Sequence, residues 1–307
     1  MHMHANLIID GNNLLYRAIY KKNTWLKKNN EERSFNSNGI DTSSLQKFLL
    51  DLYNTTESFH TPYTQIYVVW DRKLDPTQIN WRKKVNPEYK ANRDEESEAR
   101  KIVHSLCVHI KKVLDSMGIQ SVFPLASEAD DIISYLTKNL EGGSIIFSAD
   151  QDFYQCVSET CSVYNPQKKI LITPENFEEC ALVKIEHYLR YKAIKGDSSD
   201  NLKGLYRYGE KKAKNLVDNW ETESKSLTEE QLKTVQDTVN LMDLNYKALS
   251  LKEKAVVQKQ INKLPERKND TILTRVMDSY DVSLGARMSW DLFFKKKEEL
   301  GILKEFM

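Results

Sequence analysis

Short apolar runs of strand length alternate with stretches of helical periodicity in the first half of the chain. Three of these runs are each followed closely by an aspartate: Leu7-Ile8-Ile9 before Asp10, Ile66 to Trp70 before Asp71, and Ser144 to Phe147 before Asp150. Apolar positions recur at helical spacing over three other stretches: Ser43 to Tyr53, Ala99 to Met117 and Ser127 to Leu140. Strands that alternate with helices predict βαβ units around a parallel central sheet, so we expect the α/β fold class.

The second half of the chain has a different pattern. From Val183 onward almost every stretch has helical periodicity, with polar breaks near Glu221 to Ser226 and near Pro265 to Asp270. We therefore predict two parts: an α/β core over residues 1–182 and a mainly helical region over residues 183–307.

Composition and charge limit the class of protein only loosely. The chain has 307 residues, of which 40% are hydrophobic, so it can bury a substantial core. Its 45 Lys and Arg nearly cancel its 44 Asp and Glu, so a polyanion would bind only where the basic residues are segregated. The N-terminal apolar run is too short for a signal peptide, and no stretch approaches the length that crosses a membrane. We expect a cytoplasmic protein without membrane contact.

Carboxylates are concentrated at the predicted ends of strands and at the starts of helices. The set comprises Asp10, Asp71, Glu128, Asp130, Asp131, Asp150, Asp152, Asp197 and Asp200. Each group alone has an ordinary explanation, since acids complement the dipole in a first helical turn and aspartates are common in turns. A parallel sheet, however, brings the strand ends to one edge, where such charges repel one another unless cations bind. All-oxygen ligands favour Mg²⁺ or Mn²⁺, and two such ions commonly serve phosphodiester hydrolysis.

A basic segment with interleaved aromatic residues follows Asp71 directly. Between Arg72 and Lys112 there are 11 Lys or Arg against 6 Asp or Glu, and the densest part runs from Trp81 to Arg93. Most charge runs are solvated surface. Cations that follow phosphates, together with a ring that receives a base, are also what single-stranded nucleic acid requires. On that interpretation Lys90 and Arg93, three residues apart, would share a helical face toward the scissile phosphate.

A glycine-bearing segment joins two predicted helices after residue 193. Lys195-Gly196-Asp197 leads into a stretch from Gly204 to Ala213. A glycine turn at a helix start exposes N–H groups that suit a phosphate. An ordinary helix-turn-helix corner would have the same composition, so the segment alone does not decide between the two.

Five motifs, taken in order, resemble those of the 5′-nuclease superfamily of flap endonucleases and 5′→3′ exonucleases, and most of all its T-even phage ribonuclease H type. They are Ile-Asp-Gly-Asn-Asn at Asp10, Pro-Glu-Tyr-Lys-Ala-Asn-Arg ending at Arg93, Glu-Ala-Asp-Asp at Glu128, Ser-Ala-Asp-Gln-Asp at Asp150 and Gly-Asp-Ser-Ser-Asp-Asn at Asp197. The resemblance covers roughly residues 7–220. It implies a PIN-like parallel sheet flanked by helices, a helical arch at about residues 72–112 and a helix-turn-helix at about residues 193–220.

The resemblance also implies roles for individual residues. The acids around a first metal ion would be Asp10, Asp71, Glu128 and Asp130, and those around a second ion and its water shell Asp131, Asp150, Asp152, Asp197 and Asp200. Catalysis would rest on Asp10, Asp71, Lys90 and Arg93. Nucleic acid would be bound by Arg82 at the arch base, Lys83, Lys84, Tyr89 stacking near the displaced nucleotide, Lys90, Arg93, Gly204, Arg207, Gly209, Lys211 and Lys212. Arg207 stands where the family has a glycine, so a monovalent-cation site there is doubtful.

The activity that the resemblance implies is a Mg²⁺-dependent 5′-nuclease of DNA replication and repair, with two ions that Mn²⁺ can replace. Its substrates would be 5′ flaps, nicked or gapped duplex DNA and RNA primers on DNA. A monomeric, phage-encoded enzyme of the host cytoplasm would fit, with a single-stranded-DNA-binding protein or a polymerase clamp as partner by analogy. Two alternatives stay open. One is a non-catalytic junction-binding protein, and the other is a PIN-like ribonuclease, which would lack the arch and the Gly-Asp-Ser-Ser-Asp-Asn segment.

Overall fold

A mainly parallel sheet forms the centre of the α/β part of the protein. The structure is a computed structural model that describes residues 4–58, 65–72, 80–93, 97–244, 249–263 and 275–280. Within those ranges six strands form the sheet: β1 (His4–Asp10), β2 (Gln65–Val69), β3 (Gln120–Val122), β4 (Gly143–Phe147), β5 (Cys161–Asn165) and β6 (Ile170–Ile172). Their order is β3-β2-β1-β4-β5-β6, and β6 pairs antiparallel with β5 while the other pairs are parallel. The chain runs from β1 to β3 on one side and crosses to β4 on the other, so the topological switch point lies between β1 and β4.

Helices cover both faces of this sheet and make up most of the described residues after Val183. They are α1 (Gly11–Asn29), α2 (Thr42–Ser58), α3 (Trp81–Val85), α4 (Glu98–Ser116), α5 (Ala129–Asn139), α6 (Phe177–Ala181), α7 (Ile185–Lys195), α8 (Glu210–Asp218), α9 (Trp220–Glu223), α10 (Glu229–Met242) and α11 (Leu251–Asn262). Short 3₁₀ helices lie at Gln151–Cys156, Pro174–Asn176 and Ser224–Ser226, and a two-stranded hairpin, β7 (Gly196–Asp197) with β8 (Leu202–Lys203), separates α7 from α8. None of the helices in the described ranges is long and apolar enough to cross a membrane.

Alternate residues of the central strands point into two hydrophobic cores. In β1, Leu7 and Ile9 pack with α1, α2 and α4, whereas Ile8 packs on the opposite face with α5 and the later helices. Strands that are buried on both faces carry continuous apolar runs rather than an alternating pattern. This explains why β1, β2 and β4 could be predicted from the sequence, and the structure confirms the α/β class.

The core on the α5 face also extends into the C-terminal helices. One cluster of buried side chains includes Ile146 of β4, Leu216 of α8, Val235 of α10 and Val257 of α11. The mainly helical character predicted after Val183 is confirmed for the described residues, while the predicted break over residues 265–270 lies outside them. The division into two parts at residues 182 and 183 stays a prediction, because the apolar packing is continuous across it.

Asp41 anchors the start of α2 through several hydrogen bonds. Its carboxylate accepts from Ser43 Oγ at 2.7 Å, from Ser44 N at 2.9 Å, from Ser44 Oγ at 2.6 Å and from the Arg33 guanidinium at 2.6 Å. Burial would raise the pKa of Asp41, but the hydrogen bonds outweigh it and hold the pKa below its usual value.

We expect acid to weaken the fold partly through Asp41. A carboxyl whose pKa is lower in the folded chain stabilises the fold above its unfolded pKa, and this contribution is lost as the pH falls through the folded value. Asp41→Asn should therefore lower the free energy of unfolding by about 1–3 kcal/mol at pH 7 and by less at pH 3. Urea denaturation at both pH values measures the difference. An equal loss at pH 7 and pH 3 would show that the ionised carboxylate contributes nothing.

Candidate active site

Four aspartates meet at the switch point of the sheet. Asp10 ends β1, Asp71 follows β2, Asp150 follows β4, and Asp130 lies in the first turn of α5. These four residues are called the aspartate cluster below. The parallel topology predicts this convergence, and the structure places the residues together because β2, β1 and β4 are adjacent strands.

Hydrogen bonds to the main chain and to one serine fix two members of the aspartate cluster. Asp10 accepts from Asn13 N at 2.9 Å and from Ser148 Oγ at 3.0 Å. Asp71 accepts from Ala129 N, at the N-terminus of α5, at 2.9 Å. The cluster is therefore built on strand ends and a helix start, which are rigid elements.

The carboxylates of the aspartate cluster raise one another's pKa. Burial raises the pKa of Asp10 to about 7, and the charges of Asp71 and Asp150 act in the same direction. Burial also raises the pKa of Asp130 well above its usual value, with further increases from Asp150, Asp10 and Asp71. Carboxylates that repel one another in this way favour binding of a proton or a cation.

The donor chemistry of the aspartate cluster fits a hard divalent cation, since its side chains offer only oxygen atoms. No three Asp, Glu, His or Cys side chains in the described part of the chain already stand as a set of metal ligands. Several neighbouring acids are instead paired with basic side chains.

The turn after α3 attaches the basic segment to two further acids. Tyr89 Oη lies 2.9 Å from Glu128 Oε2 and 3.0 Å from Asp200 Oδ2, so its single proton is shared between two carboxylates. Lys90 Nζ lies 2.5 Å from Glu128 Oε1, and Arg93 Nη2 lies 2.7 Å from Asp200 Oδ1. Burial would lower the pKa of Lys90, but Glu128 and Asp200 raise it, so the lysine keeps its charge beside the cluster.

The prediction that Lys90 and Arg93 share one face of a helix is wrong. Helix α3 ends at Val85, residues 86–93 form turns, and Lys90 has a positive φ of 56°. The residue before a proline is restricted to extended backbone, and Asn86, which precedes Pro87, has φ −134° and ψ 101°. Residues 73–79 and 94–96 of the predicted arch lie outside the described residues.

Arg82 and Asp131 form a buried ion pair rather than binding nucleic acid and metal. Arg82 is 1% exposed, and its guanidinium donates to both Asp131 oxygens, at 2.8 and 2.7 Å, and to Glu128 at 3.1 Å. It also donates to the carbonyl oxygens of Leu241, at 2.7 Å, and Asp243, at 3.3 Å, at the end of α10. Both predicted roles therefore need correction, because neither side chain is accessible.

The stacking role predicted for Tyr89 also needs correction. Its ring is 3% exposed and packs in the core, so it cannot stack on a displaced nucleotide in this conformation. Lys83 and Lys84 of α3 are exposed, and their contact with nucleic acid stays a prediction.

Asp152 and Asp197 share a lysine that sequence analysis missed. Lys192 of α7 is buried, and its Nζ contacts Asp152 and lies 3.2 Å from Asp197 Oδ2. Asp197 Oδ1 also accepts from Ser199 N at 2.8 Å and from Ser199 Oγ at 2.6 Å. The sequence does hold one sign of this pairing, since Lys192 stands inside the apolar run from Tyr191 to Ile194 and a buried lysine requires an acidic partner.

Asn12 and Asn13, which follow Asp10 in its motif, hold the backbone around the aspartate cluster. The sequence did not reveal this role. Asn12 Oδ1 accepts from Asp71 N at 2.8 Å, and Asn13 Oδ1 accepts from Ala149 N at 3.2 Å. The glycine between Asp10 and Asn12 has a packing reason, since a Cβ atom there would lie 2.8 Å from the ring of Trp70.

The predicted helix-turn-helix is a helix, a hairpin and a second helix. Gly196 has a positive φ of 79°, and a Cβ at Gly204 would lie 2.2 Å from the carbonyl oxygen of Ile194, so these two glycines serve close backbone packing. Gly209 forms the N-cap of α8 with open space around its Cα. Lys211 and Lys212 follow it and are exposed.

Arg207 lies in the turn before α8, with its guanidinium 5.0 Å from the exposed ring of Tyr206. Its φ is 62°, in the left-handed region, which explains why a glycine suits this position. Arg207→Gly should be more stable than Arg207→Ala by about 1 kcal/mol, since both remove the charge and alanine alone keeps the strain. Thermal unfolding of the two variants measures this, and equal stability would mean that the turn is not strained.

The sequence of this chain matches a known protein family. The family described as 5′-3′ exonuclease, N-terminal resolvase-like domain, matches residues 5–181. The chain thus belongs to this family, within the 5′-nuclease superfamily. A 5′-3′ exonuclease of Mycoplasmopsis pulmonis is 29% identical over 290 residues, 90% of either chain. The flap endonuclease Xni of Shewanella denitrificans is 30% identical over 223 residues, 72% of this chain and 79% of that protein.

Solved structures show the same fold. The D15 protein of T5, co-crystallised with metal ions, superposes with a TM-score of 0.61 at 19% identity and covers 89% of this chain and 99% of its own. Flap endonuclease-1 from Methanococcus jannaschii superposes with a TM-score of 0.54 at 17% identity, covering 91% and 93%. These likenesses confirm the predicted fold.

Proposed function

We propose that the protein is a divalent-metal-dependent 5′-nuclease that hydrolyses phosphodiesters where single-stranded nucleic acid joins a duplex. The observation that carries the proposal is the aspartate cluster at the switch point, with the cationic turn of Lys90 and Arg93 beside it. Relatives named as 5′-3′ exonuclease and flap endonuclease support this activity.

The aspartate cluster would hold the cations, with Mg²⁺ as the proposed ion and Mn²⁺ as a substitute. When bound there, divalent ions polarise the phosphate and lower the pKa of a bound water. A neighbour co-crystallised with metal ions supports metal dependence. Asp152 and Asp197 would join the set when Lys192 moves away from them. Because its pKa is raised to about 7, Asp10 would be partly protonated at neutral pH and would become fully ionised on ion binding.

Glu128 and Asp200 would position two basic side chains in this site. Their carboxylates hold the side chains of Lys90 and Arg93 close to the aspartate cluster. A phosphate that enters the site would compete with these carboxylates for the side chains of Lys90 and Arg93. Lys90 and Arg93 would then stabilise the negative charge that develops on the phosphate oxygens.

Exposed basic residues on two segments of the chain would guide the substrate. Lys83 and Lys84 lie on the basic segment, Arg207 lies in the turn before α8, and Lys211 and Lys212 lie in the first turn of that helix. Two separate basic segments would suit a junction, with the single strand on one and duplex phosphates on the other. We propose 5′ flaps, nicked or gapped DNA and RNA primers on DNA as substrates in replication. Single-stranded-DNA-binding protein or a polymerase clamp is the proposed partner.

A panel of labelled substrates tests the substrate class. In Mg²⁺, the protein should cleave a 5′ flap and an RNA primer annealed to DNA close to the junction, and leave a closed single-stranded circle intact. Cleavage of the circle, or of single-stranded RNA alone at an equal rate, would favour a PIN-like ribonuclease. Tight junction binding without cleavage in either Mg²⁺ or Mn²⁺ would favour a non-catalytic binding protein.

A further inference from the structure

A carboxylate from the C-terminal helices reaches the loop that precedes α5. Glu253 of α11 is 3% exposed, and its Oε1 accepts from Leu125 N at 2.9 Å, Ala126 N at 3.1 Å and Ser127 N at 3.0 Å. The same oxygen accepts from Ser127 Oγ at 2.6 Å. Four donors that converge on one carboxylate oxygen form an anion-binding nest within the protein, and charge-assisted bonds of this kind are strong.

The sequence around Glu253 would predict only a local cap. Ser250-Leu251-Lys252-Glu253 has the spacing of a capping box, and Ser250 Oγ does accept from Glu253 N at 3.1 Å. The Glu253 carboxylate, however, binds residues more than a hundred positions earlier in the chain. Seven residues further along α11, Gln260 pairs with both the N–H and the carbonyl of Phe123, each at 2.9 Å. Helix α11 is therefore fastened along the edge of the sheet at β3.

The loop that Glu253 holds leads directly into the acids of the candidate active site. Ser127 precedes Glu128, which is the N-cap of α5, and Asp130 lies in the first turn of that helix. Ala129 N also donates to Asp71. A displacement of residues 125–127 would therefore move three acids from two different chain segments.

We propose that Glu253 is a positioning residue that sets the placement of Glu128, Asp130 and Asp71 for cation binding. This inference rests on the proposed function. Helix α11, from the part of the chain after residue 221, would thus have a defined role in the reaction, which it exerts through the loop at residues 125–127.

The matched control is Gln260→Ala. Gln260 lies on the same helix and also makes partly buried hydrogen bonds to the main chain next to the sheet edge, but these bonds go to Phe123 and not to residues 125–127. Glu253→Ala and Gln260→Ala should both lower the melting temperature. A purely structural role for Glu253 would make the two variants alike in every other measurement. Glu253→Gln keeps one acceptor oxygen and should recover part of the loss.

The test combines amide hydrogen exchange without metal and cleavage of a 5′ flap over a range of Mg²⁺ concentrations. In Glu253→Ala, the amides of residues 125–127 should exchange at least about tenfold faster. The Mg²⁺ concentration for half-maximal cleavage should rise about tenfold or more. Gln260→Ala should stay within about twofold of wild type in both measurements.

Two results would overturn the role of Glu253. One is a Glu253→Ala variant with wild-type Mg²⁺ dependence, and the other is an equal shift in Gln260→Ala. A wild-type protein that does not cleave in Mg²⁺ would instead overturn the proposed function. Amide exchange distinguishes the two failures, because it reports on the Glu253 contact without any activity.

Discussion

Asp130→Asn should abolish cleavage of a 5′ flap while leaving binding to the flap nearly unchanged. The substitution removes one negative charge from the aspartate cluster and keeps the size of the side chain. A lost metal ligand removes several kcal/mol of transition-state stabilisation, so we expect the single-turnover rate to fall at least about a thousandfold. The metal-free variant should also be more stable than wild type at pH 7, because burial and the neighbouring aspartates, which raise the pKa of Asp130, disfavour its ionised form and asparagine carries no charge.

The control for this prediction is Asp237→Asn, the same substitution at an exposed position on α10. Quenched-flow cleavage in Mg²⁺ and fluorescence anisotropy in EDTA measure the rate and the affinity. Asp237→Asn should match wild type in both. A rate for Asp130→Asn within about tenfold of wild type would remove Asp130 from the catalytic set.

Arg82→Leu should be the most destabilising single change at the site. Without the guanidinium, Asp131 would be a buried carboxylate with no counter-charge, and two carbonyl oxygens at the end of α10 would lose their donors. Removing one partner of a buried ion pair costs about 3–5 kcal/mol. Urea denaturation should show a loss of that size.

Two further variants test the cause of the Arg82 effect. Lys83→Leu, at the exposed neighbouring position, should change stability by less than about 0.5 kcal/mol. Adding Asp131→Leu to Arg82→Leu should recover part of the lost stability, because the unpaired charge is removed as well. Wild-type stability in Arg82→Leu would mean that the ion pair is not formed in solution.

Periodicity predicts the strands that are continuous apolar runs, and it misses a strand that is defined mainly by its pairing. The continuous apolar runs of β1, β2 and β4 are distinctive. Strand β3 is the polar triplet Gln120-Ser121-Val122, and nothing local marks it as a strand, since it is defined by pairing with β2. Helix α1 was missed, although its buried residues Leu14, Leu15, Ala18 and Ile19 have helical spacing and could have revealed it.

The position of the aspartate cluster follows from topology, but the partners of each acid do not. Parallel strands bring their carboxyl ends together, so Asp10, Asp71 and Asp150 could be placed from the sequence. Which acid is paired with a base depends on contacts between distant segments. Asp131 with Arg82, and Asp152 with Lys192, are separated by 49 and 40 residues, and no local pattern encodes such a contact.

The most direct test of the proposed nuclease is cleavage of a 5′-labelled flap duplex by the purified wild-type protein, in Mg²⁺ and separately with EDTA. We expect a single cut next to the junction in Mg²⁺ and none in EDTA. Cleavage that persists undiminished in EDTA would contradict the role given to the aspartate cluster. An intact flap in both Mg²⁺ and Mn²⁺ would contradict the proposed activity itself.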